Sequence, residues 1–426
     1  MAEKFIVYPS GPLKGNIEIS GAKNAVLPVL AGSLLTGQPC VISNVPNLSD
    51  VEYMCELVES LGGFTAWNRN LGTISVAANN LTKHDAAYEL VGKLRASFLI
   101  IGPLLARLGR ARVPLPGGCA IGSRPVDLHL KGLAAMGAEI EHTHGYVEAK
   151  AQKLRGAKIY LDFPSVGATE NIMMAASLAE GQTIIENAAV EPEIVDLANF
   201  LNTAGADVRG AGTDTIKING VKDMKGTHHS VIPDRIEAGT FMVAAALTQG
   251  DVMLTNVMAD HVKPVTAKLK EVNVTVNETE DGIQVKADSS QLVAADIKTL
   301  PYPGFPTDMQ AQFMSLMTKA KGTSVVTETV FENRFMQVGE LKRMGAIIKI
   351  ESRSAIIEGV EKLTGTQVCA SDLRAGAALV LAALAANDVT EISGIGHIDR
   401  GYYQLDSRLN QLGAYIERAS DATKTA

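Results

Sequence analysis

Six stretches of this chain are apolar on almost every helical face, and they recur at intervals of roughly 70 residues. They span 21–37, 93–109, 167–181, 234–250, 307–322 and 372–388, each opening on polar residues and continuing through small and apolar ones. A helix without a polar face belongs inside a fold, so each stretch predicts a buried helix. Between them runs a second recurring phrase: a helix with one apolar stripe, a glycine-containing triplet, then a strand. It occurs at 57–67, 129–142, 195–210, 339–351 and 407–417, and the copy at 265–276 lacks the glycine. Strands with turn residues follow it, as at 73–76, 145–149, 215–218 and 282–286.

Six buried helices divide into two groups of three, which predicts an α/β fold of two similar domains. Each domain is an inside-out α/β prism of three repeated units, its central helices wrapped by strands and by the amphipathic helices. The length of 426 residues agrees, since one hydrophobic core stops growing well below that size. If the units are equivalent, the polar helix starts emerge together, and a cleft between the domains follows. These starts hold Lys23 and Asn24, Lys93 and Arg95, Thr169 to Asn171, Asp234 to Glu237, Thr307 and Asp308, and Asp372 to Arg374. Polar residues at a helix start also serve as caps, and Thr307 with Gln310 fits a capping box. Lys23, Lys93, Arg95, Arg235 and Arg374 do not fit that role, because the helix dipole disfavours cations there. Negative charge is expected to compensate them.

The run from Arg112 to His129 carries the most distinctive chemistry. Pro114 and Pro116 preclude regular structure, Gly117, Gly118 and Gly122 free the backbone, and Cys119 stands alone among them. This predicts a mobile loop bearing a thiol. Pro125 suits a first helical position, so Arg124 and the free N–H groups of a helix starting there would converge on an anion. A helix-adjacent thiol in cationic surroundings is also poised for reactivity.

Composition narrows the partners. With 46% hydrophobic and 20% charged residues the chain is an ordinary globular protein. A net charge of −7 disfavours nucleic acid or an anionic membrane as partner, so any anion site is local. The first residues lack the basic and apolar regions of a secretory signal, which predicts a cytoplasmic protein. Apolar runs such as Ala375 to Ala386 are too short to span a bilayer. Cys40, Cys55, Cys119 and Cys369 show no metal-binding spacing, and thiols are expected.

These residues, taken in order, resemble the enolpyruvyl transferases. The likeness covers nearly the whole chain: Gly21-Ala-Lys-Asn, Leu94-Arg-Ala-Ser, Pro116 through His129, Ser165-Val-Gly-Ala-Thr, Pro233-Asp-Arg-Ile-Glu, Pro303-Gly-Phe-Pro-Thr-Asp, Phe331-Glu-Asn-Arg-Phe, Asp372-Leu-Arg-Ala-Gly and His397-Ile-Asp-Arg-Gly. It implies the member that joins phosphoenolpyruvate to the 3-hydroxyl of UDP-N-acetylglucosamine and releases phosphate, the first committed step of peptidoglycan synthesis. It implies no cofactor and no metal. Such chemistry needs a proton for the methylene carbon, an acceptor for the hydroxyl proton, and containment of dense negative charge. By resemblance Cys119 is the acid and Asp308 the base. Lys23, Arg124 and Arg400 match phosphoenolpyruvate ligands, with Arg95, Arg334 and Arg374 nearby. Asn24, Arg124, Pro125, Val126, Asp127, Leu128, Phe163, Pro164, Ser165, Val166 and Val330 match nucleotide-sugar contacts, along with Asp308. Phe163-Pro164 departs from members that carry a lysine there. The resemblance also assigns the opening strand to the second domain, giving residues 22–231 as the first domain, 1–21 with 232–418 as the second, and 419–426 as a flexible tail. Domain closure would bring the Cys119 loop over the cleft.

Other readings fit less well. His129, ten positions after Cys119, suggests a thiol hydrolase, yet no orienting partner or hydrolase signature accompanies it. The glycines at 117–122 and 394–396 do not follow a strand-to-helix nucleotide pattern. Transfer to shikimate 3-phosphate is disfavoured by Cys119 and the nucleotide-side run. A non-catalytic UDP-sugar-binding regulator would need neither an acid nor a base.

Overall fold

The computed structural model describes residues 3–115, 126–143, 145–287 and 291–420. They form two compact units, one made of residues 3–20 and 233–420, the other of residues 21–115 and 126–232.

Each unit has three buried helical segments at its centre. In the 21–232 unit these are Lys23–Gly32, the 3-10 turn Arg95–Ile100 running into Ile101–Leu108, and Val166–Ala176. In the other they are Arg235–Leu247, Thr307–Met309 running into Gln310–Met317, and Leu373–Leu384. Every residue of Gln310–Met317 is buried, as are eleven of the twelve in Leu373–Leu384. These helices meet closely: the Ser315 hydroxyl donates to the Ala378 carbonyl across the helix pair at 2.8 Å. The repeat pattern thus reads correctly as an α/β fold with its helices inside.

Around the helices, each unit arranges three small sheets among the described residues. The recurring plan is visible in the sheet of Lys14–Glu18, Asp251–Thr255, Thr275–Thr279 and Gly282–Lys286. There one parallel pair adjoins an antiparallel hairpin. In the sheet of the last repeat, Glu3–Val7 takes the place of one strand among the described residues. It lies antiparallel to both Thr390–Ser393 and Ile416–Ser420. Ala419 and Ser420, expected in a frayed tail, instead pair with Lys4 and Glu3, because this sheet uses the strand to its end.

The outer helices are Ser49–Ser60, Asp127–Ala135, Pro192–Thr203, Lys263–Glu271, Gln337–Arg343 and Leu405–Gln411. After each, the chain reverses through a residue of positive φ: Gly62 at 100°, Gly137 at 95°, Gly205 at 102°, Gly345 at 90° and Gly413 at 101°. The copy without glycine uses Asn273 at 69°, the residue type that best tolerates this conformation after glycine.

Three local expectations are corrected. Lys93 does not open a buried helix; it ends the outer helix Tyr88–Lys93, and extended Leu94 breaks the chain before Arg95. Thr307 and Gln310 do not form a capping box. The Thr307 hydroxyl donates to Glu328 at 2.9 Å and the Gln310 amide to the Arg334 carbonyl at 2.9 Å. The helix expected from Pro125 has its first helical residue at Asp127.

Candidate active site

Within the 233–420 unit, the sequence Thr307-Asp-Met starts a buried helix with one tight turn, which leaves the Asp308 side chain partly exposed at the helix mouth. Two arginines hold it there. The Arg334 Nη2 lies 2.7 Å from Oδ1, and Arg374 Nη2 lies 2.9 Å from Oδ2 with Nε at 3.3 Å. Arg374 is only 2% exposed and is set by its own helix start, where the Asp372 carboxylate accepts the Arg374 and Ala375 N–H groups at 2.8 and 3.0 Å. Asp372 is therefore a cap. Asp234 caps the neighbouring buried helix in the same way, accepting from the N–H groups of Ile236 and Glu237 at 2.8 and 2.9 Å.

Behind Arg374 stands Tyr402, with the guanidinium 5.3 Å from its ring centre. The Tyr402 hydroxyl is 3.0 Å from Thr240 Oγ1 and accepts from Gln312 Nε2 at 3.1 Å. Arg374 Nη1 remains buried without a hydrogen-bond partner among the described residues. A buried guanidinium N–H left unspent is a donor available to an anion. Arg400 follows the short helix Gly396–Asp399, two residues before Tyr402, and Val330 lies partly buried in the loop between Glu328 and Arg334.

In the 21–232 unit, Lys23 opens its helix and is buried against Asp50, Nζ to Oδ2 2.8 Å, with Asp50 2% exposed. The compensation expected for a cation at a helix start is thus met by a protein carboxylate, as Asp308 does for Arg374. Asn24, next along, is partly buried. Val126, Asp127 and Leu128 lie at the start of one outer helix, and Phe163, Pro164, Ser165 and Val166 at the start of a buried one. The structure brings these two segments together. Lys131 pairs with Asp162 at 2.6 Å, and a Cβ on Gly167 would lie 2.9 Å from the His129 ring. Ser165 caps its helix by accepting from the Ala168 N–H at 3.3 Å, while Phe163 is 45% exposed.

His129 joins the segments to the core. Asn171 Nδ2 lies 2.8 Å from His129 Nδ1 and donates to the Phe98 carbonyl at 3.1 Å, while its Oδ1 accepts the Gly102 N–H at 3.0 Å. An amide donor at Nδ1 puts the imidazole proton on Nε2. Burial, reinforced by the charge of Arg95, lowers the His129 pKa to about 4, so the ring is neutral at physiological pH. Thr169 to Asn171, expected at an anion-facing end, are buried, and Thr169 and Asn171 make hydrogen bonds inside the unit. Cys119, Arg124 and Pro125 lie outside the described residues.

A family model for EPSP synthase (3-phosphoshikimate 1-carboxyvinyltransferase) matches residues 7–409. Two relatives discriminate further. The chain is 61% identical to UDP-N-acetylglucosamine 1-carboxyvinyltransferase 1 of Caldanaerobacter subterraneus subsp. tengcongensis, over 98% of this chain and 100% of the relative. The chain belongs to the UDP-N-acetylglucosamine 1-carboxyvinyltransferase family. Similarly, it is 60% identical to UDP-N-acetylglucosamine 1-carboxyvinyltransferase 2 of Carboxydothermus hydrogenoformans, over 98% of this chain and 100% of that one. Solved structures share the fold. The enolpyruvyl transferase NikO from Streptomyces tendae matches with a TM-score of 0.89 at 24% identity, covering 98% of this chain and 99% of the other. EPSP synthase from Acinetobacter baumannii matches at 0.77 and 21% identity, covering 98% and 100%.

For a carboxyvinyltransferase of this family, sequence reasoning missed Asp50, which pairs with Lys23; Tyr402, which stands behind Arg374; and Gln312 and Thr240, which bond the Tyr402 hydroxyl. Asp50 had a weak signal as an acid in the first turn of an amphipathic helix. Gln312 and Thr240 sit within the apolar helices of their own repeats, and Tyr402 follows the Arg400-Gly401 motif without a sign of its own that it meets Arg374. No helix among the described residues is long and apolar enough to cross a membrane.

Proposed function

We propose that the chain catalyses enolpyruvyl transfer from phosphoenolpyruvate to the 3-hydroxyl of UDP-N-acetylglucosamine, in the pathway to peptidoglycan and in the cytoplasm. The observation that carries this is identity of 61% along the entire length of a relative bearing that name. In this reading the sugar 3-oxygen bonds to C2 of phosphoenolpyruvate as its proton leaves to Asp308, while Cys119 gives a proton to the methylene carbon. A proton is then lost from the new methyl group, the C2 to phosphate-oxygen bond breaks, and the double bond returns with release of phosphate. Lys23, Arg124 and Arg400 bind phosphoenolpyruvate, with Arg95, Arg334 and Arg374 adding positive charge. Each charge-assisted hydrogen bond to the anion contributes on the order of 1.5–3 kcal/mol. Asn24, the residues at 124–128 and 163–166, and Val330 bind the nucleotide sugar.

The geometry around Asp308 supports this role. Both carboxylate oxygens are held by arginines and the group stays partly exposed, so it is oriented yet reachable. The test is phosphate release from phosphoenolpyruvate with UDP-N-acetylglucosamine or shikimate 3-phosphate as acceptor, comparing wild type with Cys119→Ser. Release is expected only with the nucleotide sugar, and it should fall sharply in the variant. Release with shikimate 3-phosphate, or with neither acceptor, overturns the proposal.

A further inference from the structure

Glu328 is wholly buried, 0% exposed, and forms no ion pair among the described residues. All of its bonds come from neutral donors. Oε1 accepts from the Thr299 hydroxyl at 2.7 Å and from the N–H groups of Val330 and Phe331 at 2.8 and 3.1 Å. Oε2 accepts from the Thr307 hydroxyl at 2.9 Å. A carboxylate that accepts on both oxygens fixes the direction of every hydrogen it meets. The Thr307 proton must point at Glu328, which leaves a Thr307 lone pair for Arg334, and Arg334 Nη1 donates to it at 2.9 Å. The other terminal nitrogen of that guanidinium is the one 2.7 Å from Asp308 Oδ1.

We propose that Glu328 is a positioning residue for the transfer reaction, acting through Thr307 and Arg334 to aim the Asp308 carboxylate. This rests on the reading of Asp308 as the base. Three directed bonds connect buried Glu328 to the reacting carboxylate, and their polarity follows from Glu328 accepting on both oxygens. A planar guanidinium gripped at one nitrogen presents the other at a fixed angle. The carboxylate it holds keeps a fixed orientation toward a sugar hydroxyl. A glutamine at 328 would still accept from Val330 and Phe331 through its carbonyl oxygen, so the loop stays anchored. Its amide would donate to Thr307 instead of accepting from it. The Thr307 oxygen would then accept from two donors while its own proton lost the acceptor that orients it, so the hydroxyl would rotate and Arg334 would lose its fixed grip.

Glu328→Gln and Thr307→Val separate aiming from loop anchoring, because the second leaves every bond from Glu328 to Val330, Phe331 and Thr299 in place. Both are expected to lower kcat about 10-fold while KM for UDP-N-acetylglucosamine changes less than about 2-fold, the scale of a small misplacement at a reacting group. Thr307→Ser, which restores the hydroxyl, recovers kcat. In an Asp308→Asn background, measured in single turnover, Glu328→Gln causes no further loss. A raised KM with unchanged kcat, or a loss in the Asp308→Asn background equal to that in wild type, overturns the inference while leaving the base reading intact. An Asp308→Asn enzyme with wild-type kcat overturns the base reading, and this inference with it. Should Glu328→Gln not fold, as read by its circular dichroism melt, the Thr307 pair decides alone.

Discussion

The two units solve the same electrostatic problem in different ways. At the start of a buried helix in the 233–420 unit, Asp308 is shared between two guanidiniums, each braced from behind, Arg334 by Thr307 and Arg374 by Tyr402. In the 21–232 unit, the buried helix start at Lys23 sets its ammonium against the Asp50 carboxylate, and the His129 imidazole of that unit is kept neutral. A planar guanidinium bonds a carboxylate along two fixed directions, whereas an ammonium is a point charge that rotates freely. The contrast suits a division of labour. One unit fixes the orientation of a partly exposed carboxylate, and the other holds a buried lysine by a bond that sets no single angle.

The largest effect should come from breaking the aimed side. Asp308→Asn is expected to lower kcat by about 10²- to 10⁴-fold, the usual contribution of a positioned base, with a smaller loss of stability than Asp50→Ala, because Asp308 is partly exposed and the asparagine oxygen still accepts from one arginine. Steady-state phosphate release and a melting curve on one preparation check both halves. The other side should fail by unfolding instead. Asp50→Ala removes the carboxylate 2.8 Å from the buried Lys23 ammonium, and loss of one partner of a buried pair costs about 3–5 kcal/mol. Urea unfolding measures it. A variant that keeps its stability would show that Lys23 is readily solvated and that the two units differ less than their geometry suggests.

How much of this was legible in the sequence depends on what each residue packs against. The apolar helices declared themselves, because a face without polar residues has one stable environment. The outer helices did as well, and even the aberrant copy at 265–276 follows the rule once Asn273 takes the backbone role of glycine. The break at Leu94 was not legible, since Lys93 and Arg95 look alike as polar helix starters and only the preceding turn at Tyr88 captures the lysine. Asp308 and Arg374 stand out as polar residues at apolar helix starts and Arg334 through resemblance, but nothing in their spacing of 26 and 40 positions announces that they meet. Glu328, in the run Thr327-Glu-Thr-Val, reads as the end of a strand. Its burial is a tertiary fact, fixed by Thr299 and Thr307 arriving from another part of the repeat.

A middle-sized effect should separate the neutral imidazole from the charges. Asn171→Leu removes the amide that joins His129, Phe98 and Gly102, leaving buried polar groups unsatisfied at about 1–3 kcal/mol. Thermal unfolding at pH 7 reads the loss. With His129 intact, its lowered pKa has a defined consequence. The unfolded chain binds a proton near pH 6.5 and the folded one only near 4. Stability from this group is therefore complete above pH 6.5 and falls as the pH drops toward 4, by up to about 1.4 kcal/mol per unit.

The smallest effect comes from Glu170, one residue before Asn171 on the same helix, and it runs the other way. Burial, with Glu193 and then Glu191 close by, raises its pKa well above the ordinary carboxyl value. The folded state keeps a proton that the unfolded chain releases, so this group favours the fold at low pH and its contribution is lost as the pH rises through the folded pKa. Glu170→Gln preserves the neutral shape and removes the titration. The variant should gain stability relative to wild type on the alkaline side and match it most closely at acid pH, where both carry an uncharged side chain. Unfolding curves from pH 5 to 9 check this, and a difference that does not grow with pH would mean that Glu170 is ionised in the fold. The comparison between the units would then sharpen, because the 21–232 unit would hold a buried anion of its own without the arginines that Asp308 has.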